Sequence, residues 1–380
     1  MTTDNQEPVN ELTATGETPP VVIPQAEEER GSLEPLEPAS RRAGGPVARR
    51  VYTSGSAELD RLVVEMVKAI NGTPQMAERP ISSRDLELAR EMISAALRLV
   101  LQRASRAELK MVNAALKEFA YSFRVFAPYS HLRKVSIFGS ARVLPGEVEY
   151  VAAREFARQI ADRGWMVITG AGPGIMAAGH EGAGAEHSFG ANIRLPSLNP
   201  ANVYIAKDGK LINFKYFFTR KVTFMKESSA FVLLPGGWGT MDEAFELLTL
   251  VQTGKSDLHP IVLLEPEGGD YWQNWSDFVR KSLLARGYLL ESDMALFRIA
   301  ETPEEAVEEV EHFYRNYQSA RFVGDRLILR MKRAPLPEEL ERIRSDFADL
   351  LKQGAFEVIP PTTPEATEGD EVDLERLAFY

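Results

Sequence analysis

The chain has 380 residues, of which 44% are hydrophobic and 26% charged, a composition that allows one large domain with additions or two domains. The net charge of −11 disfavours general nucleic-acid binding, and the lack of cysteine excludes disulfides, thiolate nucleophiles and cysteine-based metal centres. No apolar run reaches the length of a membrane span, and the polar N-terminus does not resemble a signal peptide. We therefore expect a cytoplasmic protein without membrane contact.

The first part of the chain predicts a tail followed by helices. Residues 1–50 are rich in Pro, Glu, Thr and Gly and poor in aromatic residues, which is typical of disorder. Residues 51–130 show helical apolar spacing and predict a helical extension, in which Ser105 and Glu108 form a capping box. One face of that helix carries a stripe that predicts packing within the chain or between subunits, made of Val112, Leu116, Phe119 and Phe123.

Residues 131–318 alternate between buried strands and amphipathic helices. The strands are KVSIFGS, WMVITG, GANIRLP, AFVLLPGG and PIVLLEP, and helices are predicted over about 240–253 and from Thr302 onward. This alternation predicts an α/β fold with a Rossmann-like, doubly wound parallel sheet, whose ligands bind at the carboxyl ends of the strands. Residues 319–380 predict a small α/β appendage: a strand RLILRMK, a helix ending at Gly354 and a loose loop PPTTPEATEGDE.

Three glycine-rich turns follow strands of the predicted sheet. They span residues 139–142, 170–174 and 235–240. Glycine lets the backbone approach an anion closely, and a helix N-terminus offers free N–H groups and a positive dipole end. One such turn is weak evidence for phosphate binding, because glycine often only makes a tight turn. Three turns on one sheet edge predict a nucleotide-sized pocket.

Other phosphate and metal sites fit the sequence poorly. The second turn has G-x-G-x-G spacing instead of G-x-G-x-x-G, and the third strand ends NIRLP without the acid that holds a ribose. No turn closes with the G-K-[ST] of a P-loop. The five histidines include no H-E-x-x-H pair, so we expect neither a metal nor a cofactor.

Glu243 has two interpretations. Thr240 and Glu243 have the spacing of a capping box, in which the glutamate only bonds back to the helix start. Alternatively, the carboxylate takes part in catalysis. Upstream, Arg220 and Lys221 follow a run of three aromatic residues, which indicates a buried segment. A buried cation needs an anionic partner, which a phosphate or a carboxylate such as Glu243 could supply.

Together these motifs resemble the LONELY GUY family of phosphoribohydrolases, which also carries a lysine decarboxylase-like label. The signature P-G-G-x-G-T-x-x-E is complete from Pro235 to Glu243, the preceding R-K pair matches Arg220 and Lys221, and GAGPGIMAA and FGSAR resemble the family's other two turns. The resemblance covers about 133–318. A decarboxylase would need a pyridoxal-phosphate lysine and its supporting site, for which the sequence offers no candidate. Phe224 stands where the family usually has methionine, which puts base preference in doubt.

The resemblance implies a Rossmann-like fold and a homodimer or larger assembly. It also implies hydrolysis of the N-glycosidic bond of a nucleoside 5′-monophosphate, either AMP or a cytokinin riboside monophosphate. Glu243 and Arg220 are then the catalytic residues. The alternative is a nucleotide binder or carrier on the same fold without turnover. The substrate-binding residues expected on this basis are Gly139, Ser140, Gly170, Gly172, Gly174, Met176, Lys221, Gly236, Gly237, Gly239 and Thr240, with phosphate on the N–H groups of Gly237, Gly239 and Thr240.

Overall fold

The fold is that of a computed structural model, which describes residues 52–70, 72–73, 81–195 and 200–380. The tail predicted for residues 1–50 lies outside these ranges. The chain divides into two compact units, with the boundary between Arg98 and Leu99. No helix in the described ranges is long and apolar enough to cross a membrane.

The first unit contains two amphipathic helices, α1 (Ala57–Ile70) and α2 (Ser83–Leu101), the second of which runs across the boundary. The Ser54 N–H donates to the Asp60 carboxylate at 2.8 Å and holds the start of α1. The Arg90 guanidinium is buried on α2 and donates to the Tyr52 carbonyl at 2.7 Å. This bond ties the segment before α1 to α2.

The second unit is built on a parallel sheet of seven strands in the order β4-β3-β2-β1-β5-β6-β7. The strands are β1 (Lys134–Phe138), β2 (Met166–Thr169), β3 (Ser188–Ile193), β4 (Leu211–Phe214), β5 (Ala230–Leu233), β6 (Ile261–Leu264) and β7 (Arg298–Ala300). The chain moves outward from β1 to β4 and then returns to β5 beside β1, which makes a topological switch point between β1 and β5. The doubly wound α/β prediction is confirmed, although the short strands β4 and β7 were not predicted.

Helices cover both faces of this sheet: α3 (Arg106–Phe126), α4 (Val148–Asp162), α5 (Ile175–Ala183), α6 (Phe217–Glu227), α7 (Trp238–Gln252), α8 (Tyr271–Phe278) and α9 (Pro303–Phe313). Neighbouring residues of β2 point to opposite faces, so Val167 lies in one apolar cluster and Ile168 in the other. The capping box at Ser105 is confirmed at the start of α3. At the end of α3, the Phe126 ring stacks on Phe189 at 4.3 Å, so α3 packs on the α/β unit.

The appendage is an antiparallel sheet in the order β10-β11-β9-β8, formed by β8 (Tyr317–Val323), β9 (Arg326–Met331), β10 (Glu357–Val358) and β11 (Glu375–Phe379). Its helix α10 (Pro337–Asp346) ends before the predicted Gly354. The loop prediction was also wrong, because the segment contains α11 (Thr363–Glu368). The Glu365 carboxylate is fully buried and pairs with Arg330 and Arg376 at 2.9 and 3.1 Å. These long-range ion pairs hold α11.

Candidate active site

The three glycine turns meet at the switch point, around a cavity of about 340 Å³. Nine of the predicted residues line it: Gly139, Ser140, Gly170, Met176, Arg220, Gly237, Gly239, Thr240 and Glu243. Five lining residues were not predicted: Phe138, Ala141, Arg142, Phe224 and Trp238. Arg142 and Trp238 sit inside the quoted turn motifs, so their positions beside the glycines were the signal that could have found them.

The other predicted residues, Gly172, Gly174, Gly236 and Lys221, do not line the cavity but support it. Ser140 joins the turns, since its N–H donates to the Pro235 carbonyl at 3.1 Å and its carbonyl accepts from the Ile175 N–H at 3.0 Å. A Cβ on Gly174 would lie 2.3 Å from the Ser140 carbonyl oxygen, and one on Gly236 would lie 2.1 Å from the Thr240 hydroxyl oxygen. These two glycines therefore permit the close packing of the three turns.

The second turn is held in an unusual backbone conformation. Ala171 has a φ of +60°, a region that side chains with a Cβ rarely adopt. Its N–H donates to the Thr169 hydroxyl at 3.0 Å, and its carbonyl accepts from the Asn202 N–H at 2.8 Å. The fully buried His180 ring lies within hydrogen-bond distance of both Thr169 and Asn202. His180 thus holds the second turn in place through Thr169 and Asn202, a role that its sequence context did not indicate.

The third turn runs directly into α7. This helix begins at Trp238 with Gly237 as N-cap, two residues before the predicted start. The Thr240 N–H donates to the Gly237 carbonyl at 3.1 Å, within the first turn of the helix. The capping-box interpretation of Glu243 is also wrong, because the earlier start places Glu243 in the second turn of the helix, beyond reach of the N-cap.

Glu243 instead contacts the cations of α6. Its side chain is 3% exposed, and its carboxylate oxygens lie 3.6 Å from the Arg220 guanidinium and 3.2 Å from the Lys221 ammonium. Lys221 also pairs with Asp242 at 2.9 Å and Glu246 at 2.7 Å. The buried cation expected on α6 therefore has a carboxylate partner. Asp242, Glu243 and Glu246, all on α7, therefore share the Lys221 ammonium.

Burial dominates the electrostatics of this cluster. It raises the pKa of Glu243, and the charges of Lys221 and Arg220 oppose that rise. Burial also lowers the pKa of Arg220, although a guanidinium stays protonated. Within the described ranges, one carboxylate oxygen of Glu243 (Oε1) and the Nε of Arg220 are buried without a hydrogen-bond partner. Buried polar atoms without a partner are rare, and both of these belong to residues that line the cavity.

The described residues contain no group of three or more His, Asp or Glu side chains arranged to hold a metal ion. His180, one of the five histidines considered as ligands, is occupied by Thr169, Asn202 and the Phe189 carbonyl. The charged groups that line the cavity are the Glu243 carboxylate and the Arg142 and Arg220 guanidinium groups.

Residues 173–310 match a protein-family model described as "Possible lysine decarboxylase". Among curated proteins, the chain is similar to the cytokinin riboside 5′-monophosphate phosphoribohydrolase LOG of Oryza sativa subsp. japonica, with 27% identity over 197 residues, covering 50% of this chain and 77% of that protein. A probable phosphoribohydrolase of the same type from the same plant is 26% identical over 187 residues, covering 48% of this chain and 74% of that protein.

Among solved structures, the chain is similar to a molybdenum cofactor binding protein from Rippkaea orientalis, with 22% identity, a TM-score of 0.35, and coverage of 48% of this chain and 97% of that one. This likeness carries no conclusion about function. The complete P-G-G-x-G-T-x-x-E signature at Pro235–Glu243 lies within the residues that match the family model. The two plant relatives are named as phosphoribohydrolases, the class that this signature indicates. The α/β region of this chain is therefore similar in sequence to the LONELY GUY phosphoribohydrolases.

Proposed function

We propose that the protein hydrolyses the N-glycosidic bond of a nucleoside 5′-monophosphate to a free base and ribose 5-phosphate. The observation that carries the proposal is the buried Glu243 carboxylate, which lines a glycine-walled cavity and has one oxygen without a hydrogen-bond partner. The similarity to phosphoribohydrolases supports the same reaction class.

The phosphate would bind at the N-terminus of α7. The backbone of Gly237 and Gly239 borders the cavity there, and a Cβ on either residue would meet no atom within 4 Å, so space remains for an anion. Glu243 lies four residues after Gly239, about 6 Å farther along the helix axis. In this proposal the spacing separates the carboxylate from the phosphate and would leave it beside the ribose.

Cleavage of the glycosidic bond builds positive charge on the ribose ring. The Glu243 carboxylate would stabilise that charge or accept a proton from the attacking water. The water oxygen bonds to C1′ as the C1′–N bond breaks. The electron pair of the broken bond leaves with the base, and the base takes up the proton that the water releases. Burial of Glu243 strengthens its interaction with the developing charge, since less water screens it.

Arg220 would serve the leaving base or orient Glu243. Its guanidinium lies between the carboxylate and the aromatic rings of Phe217 and Phe224, whose centroids are 5.0 and 5.8 Å away. Met176 lies against Gly170 and Gly172 and lines the same cavity, which gives the cavity an apolar wall for a base. We propose AMP or a cytokinin riboside monophosphate as the substrate.

The test is release of free base from a panel of nucleoside monophosphates, measured by chromatography. Wild-type protein should release base, whereas Glu243→Gln and Arg220→Ala should each lose at least 100-fold in kcat while remaining folded. Glu246→Gln is the matched control, because Glu246 lies on the same helix and pairs with Lys221 but does not line the cavity. Nucleotide binding without base release by the wild type would overturn the proposal in favour of a binder.

Assembly as a homodimer or larger oligomer and a cytoplasmic location are part of the same proposal. Large apolar side chains remain exposed on the α/β unit, including Leu116 at 56%, Phe217 at 49% and Trp238 at 92%. In this proposal a second copy of the chain covers these side chains. Light scattering of the purified chain measures the assembly directly.

A further inference from the structure

A second polar cavity lies at the opposite end of the strands from the catalytic cavity. It has a volume of about 300 Å³ and lies between the amino-terminal ends of β1 and β5 and the start of β8. Lys134 begins β1 at this cavity, and Phe138 ends β1 at the catalytic cavity. At about 3.3 Å per residue, the two sites are roughly 13 Å apart along one strand. We call this second site the edge cavity.

Two adjacent cations in the edge cavity, Arg133 and Lys134, form no ion pair with an acid of the described residues. Lys134 is 3% exposed, and its ammonium donates to the Leu132 carbonyl at 3.0 Å. The Arg133 guanidinium donates to Gln318 at 2.7 Å and stacks over the Tyr314 ring at 3.6 Å. Neither forms an ion pair with any acid in the ranges that the structure describes. Lys134 is buried and Arg133 is half-buried. Because buried charges are normally paired, the two cations predict an anion.

The carboxylates around the edge cavity do not supply that anion. Glu227 is engaged by Lys226, with 2.6 Å between ammonium and carboxylate. Asp257 is the other acid that lines the cavity, and it is exposed to solvent at the rim. Three cations thus face two acids, one of which is already paired. Burial lowers the pKa of Lys134, and Glu227 only partly offsets that effect.

Two hydroxyl groups of residues that line the same cavity also lack a partner among the described residues. The Tyr317 hydroxyl and the Ser319 hydroxyl are buried without a hydrogen-bond partner in the described residues. The neighbouring Tyr314 shows the usual arrangement, because its hydroxyl donates to the Ser229 carbonyl at 2.5 Å. Buried hydroxyls are rarely left unpaired, so the two free groups indicate a ligand rich in acceptor oxygens.

We propose that the edge cavity binds the phosphate group of a small phosphorylated ligand. A tetrahedral oxyanion accepts several hydrogen bonds and matches an ammonium beside a guanidinium fork, and the hydroxyls of Tyr317 and Ser319 would turn towards it on binding. The volume of about 300 Å³ exceeds what a free phosphate fills and reaches the lower end of small-molecule pockets. The rest of the ligand would lie against the tyrosine rings. This site does not depend on the proposed reaction.

The test is calorimetric titration of the full chain with inorganic phosphate. A Gly239→Ala background weakens the phosphate site proposed for the catalytic cavity, so the difference in heat between this background and the edge-cavity variants reports the edge cavity. In that background, Lys134→Met should weaken phosphate binding at least tenfold and Tyr317→Phe about fivefold. Lys281→Met, at a side chain that is 74% exposed, is the matched control and should bind as the background does.

Tyr317→Phe keeps the ring and removes only the free hydroxyl, so it tests the site even if Lys134→Met does not fold. The proposal is overturned if the background protein binds no phosphate up to about 10 mM, the weak end for a specific anion site. It is also overturned if both variants bind phosphate as the control does. If the edge cavity binds phosphate while the protein releases no base from any nucleotide, the edge site stands and the proposed reaction fails.

Discussion

Alanine substitutions at two glycines of the third turn should have different effects on the stability of the fold. A Cβ on Gly236 would lie 2.1 Å from the Thr240 hydroxyl oxygen, 2.8 Å from its Cβ and 3.0 Å from the Ser140 backbone nitrogen. A Cβ on Gly239 would meet no atom within 4 Å. Gly236→Ala must displace packed groups, at a cost of about 1–3 kcal/mol. Gly239→Ala lies within α7 and should be neutral or stabilising by up to about 1 kcal/mol.

These energies predict opposite thermal shifts. At roughly 2–4 °C per kcal/mol, Gly236→Ala should lower the melting temperature by several degrees, and Gly239→Ala should leave it unchanged or raise it. Both variants should lose activity for different reasons. Gly236→Ala distorts the turn, whereas the new methyl of Gly239→Ala occupies the space proposed for the phosphate. The expected loss for Gly239→Ala is at least tenfold in kcat/KM for nucleoside monophosphate hydrolysis, equal to about 1.4 kcal/mol.

Differential scanning fluorimetry and base-release kinetics on both variants provide the measurement. A Gly239→Ala protein with wild-type stability and wild-type kcat/KM would refute the placement of phosphate at the start of α7. A Gly236→Ala protein with an unchanged melting temperature would refute the steric argument for the turn.

Two further predictions concern buried carboxylates. Glu365→Gln should cost about 3–5 kcal/mol in urea denaturation because it leaves Arg330 and Arg376 buried without a full counter-charge, while the exposed Glu375→Gln should cost little. Burial alone would raise the pKa of Glu365, but hydrogen bonds and both arginines lower this pKa to about 2. The ionised carboxylate should therefore stabilise the fold by about 3 kcal/mol. This stabilisation should be complete above pH 4.5 and lost as the pH falls from there towards 2. For the proposed reaction, burial raises the pKa of Glu243, so kcat/KM should fall on the acid side at a higher pH than a free glutamate would give. Lys221→Met removes a charge that lowers this pKa and should move the acid limb upward, whereas an unmoved limb would contradict the role of Glu243.

Local signals in the sequence predicted much of the fold. Strand–helix alternation, with apolar residues that face both sides, predicted the doubly wound sheet because a parallel sheet must be covered twice. The box of Ser105 with Glu108 and the cap of Thr302 on the Glu305 N–H were predictable since both depend on residues three apart. Short strands such as β7, with only three residues, carry too little pattern to be recognised.

Features that depend on distant residues were not predictable in the same way. The segment around Glu365 looked like a loop because its two arginine partners come from β9 and β11. The support of Ala171 by His180 and Asn202 joins residues that lie far apart along the chain. A single sequence does not show such pairs, because each residue alone is compatible with many surroundings.

The sequence by itself determined the chemical inventory of the candidate site: three glycine turns, a carboxylate at Glu243 and cations at Arg220 and Lys221. Only the tertiary structure decided how these groups are used. The switch between β1 and β5 brings the turns together, and α6 packs beside α7 so that Lys221 binds Glu243 at 3.2 Å. A capping box and a buried ion pair use the same glutamate, and the choice between them depends on where the helix starts and what packs against it.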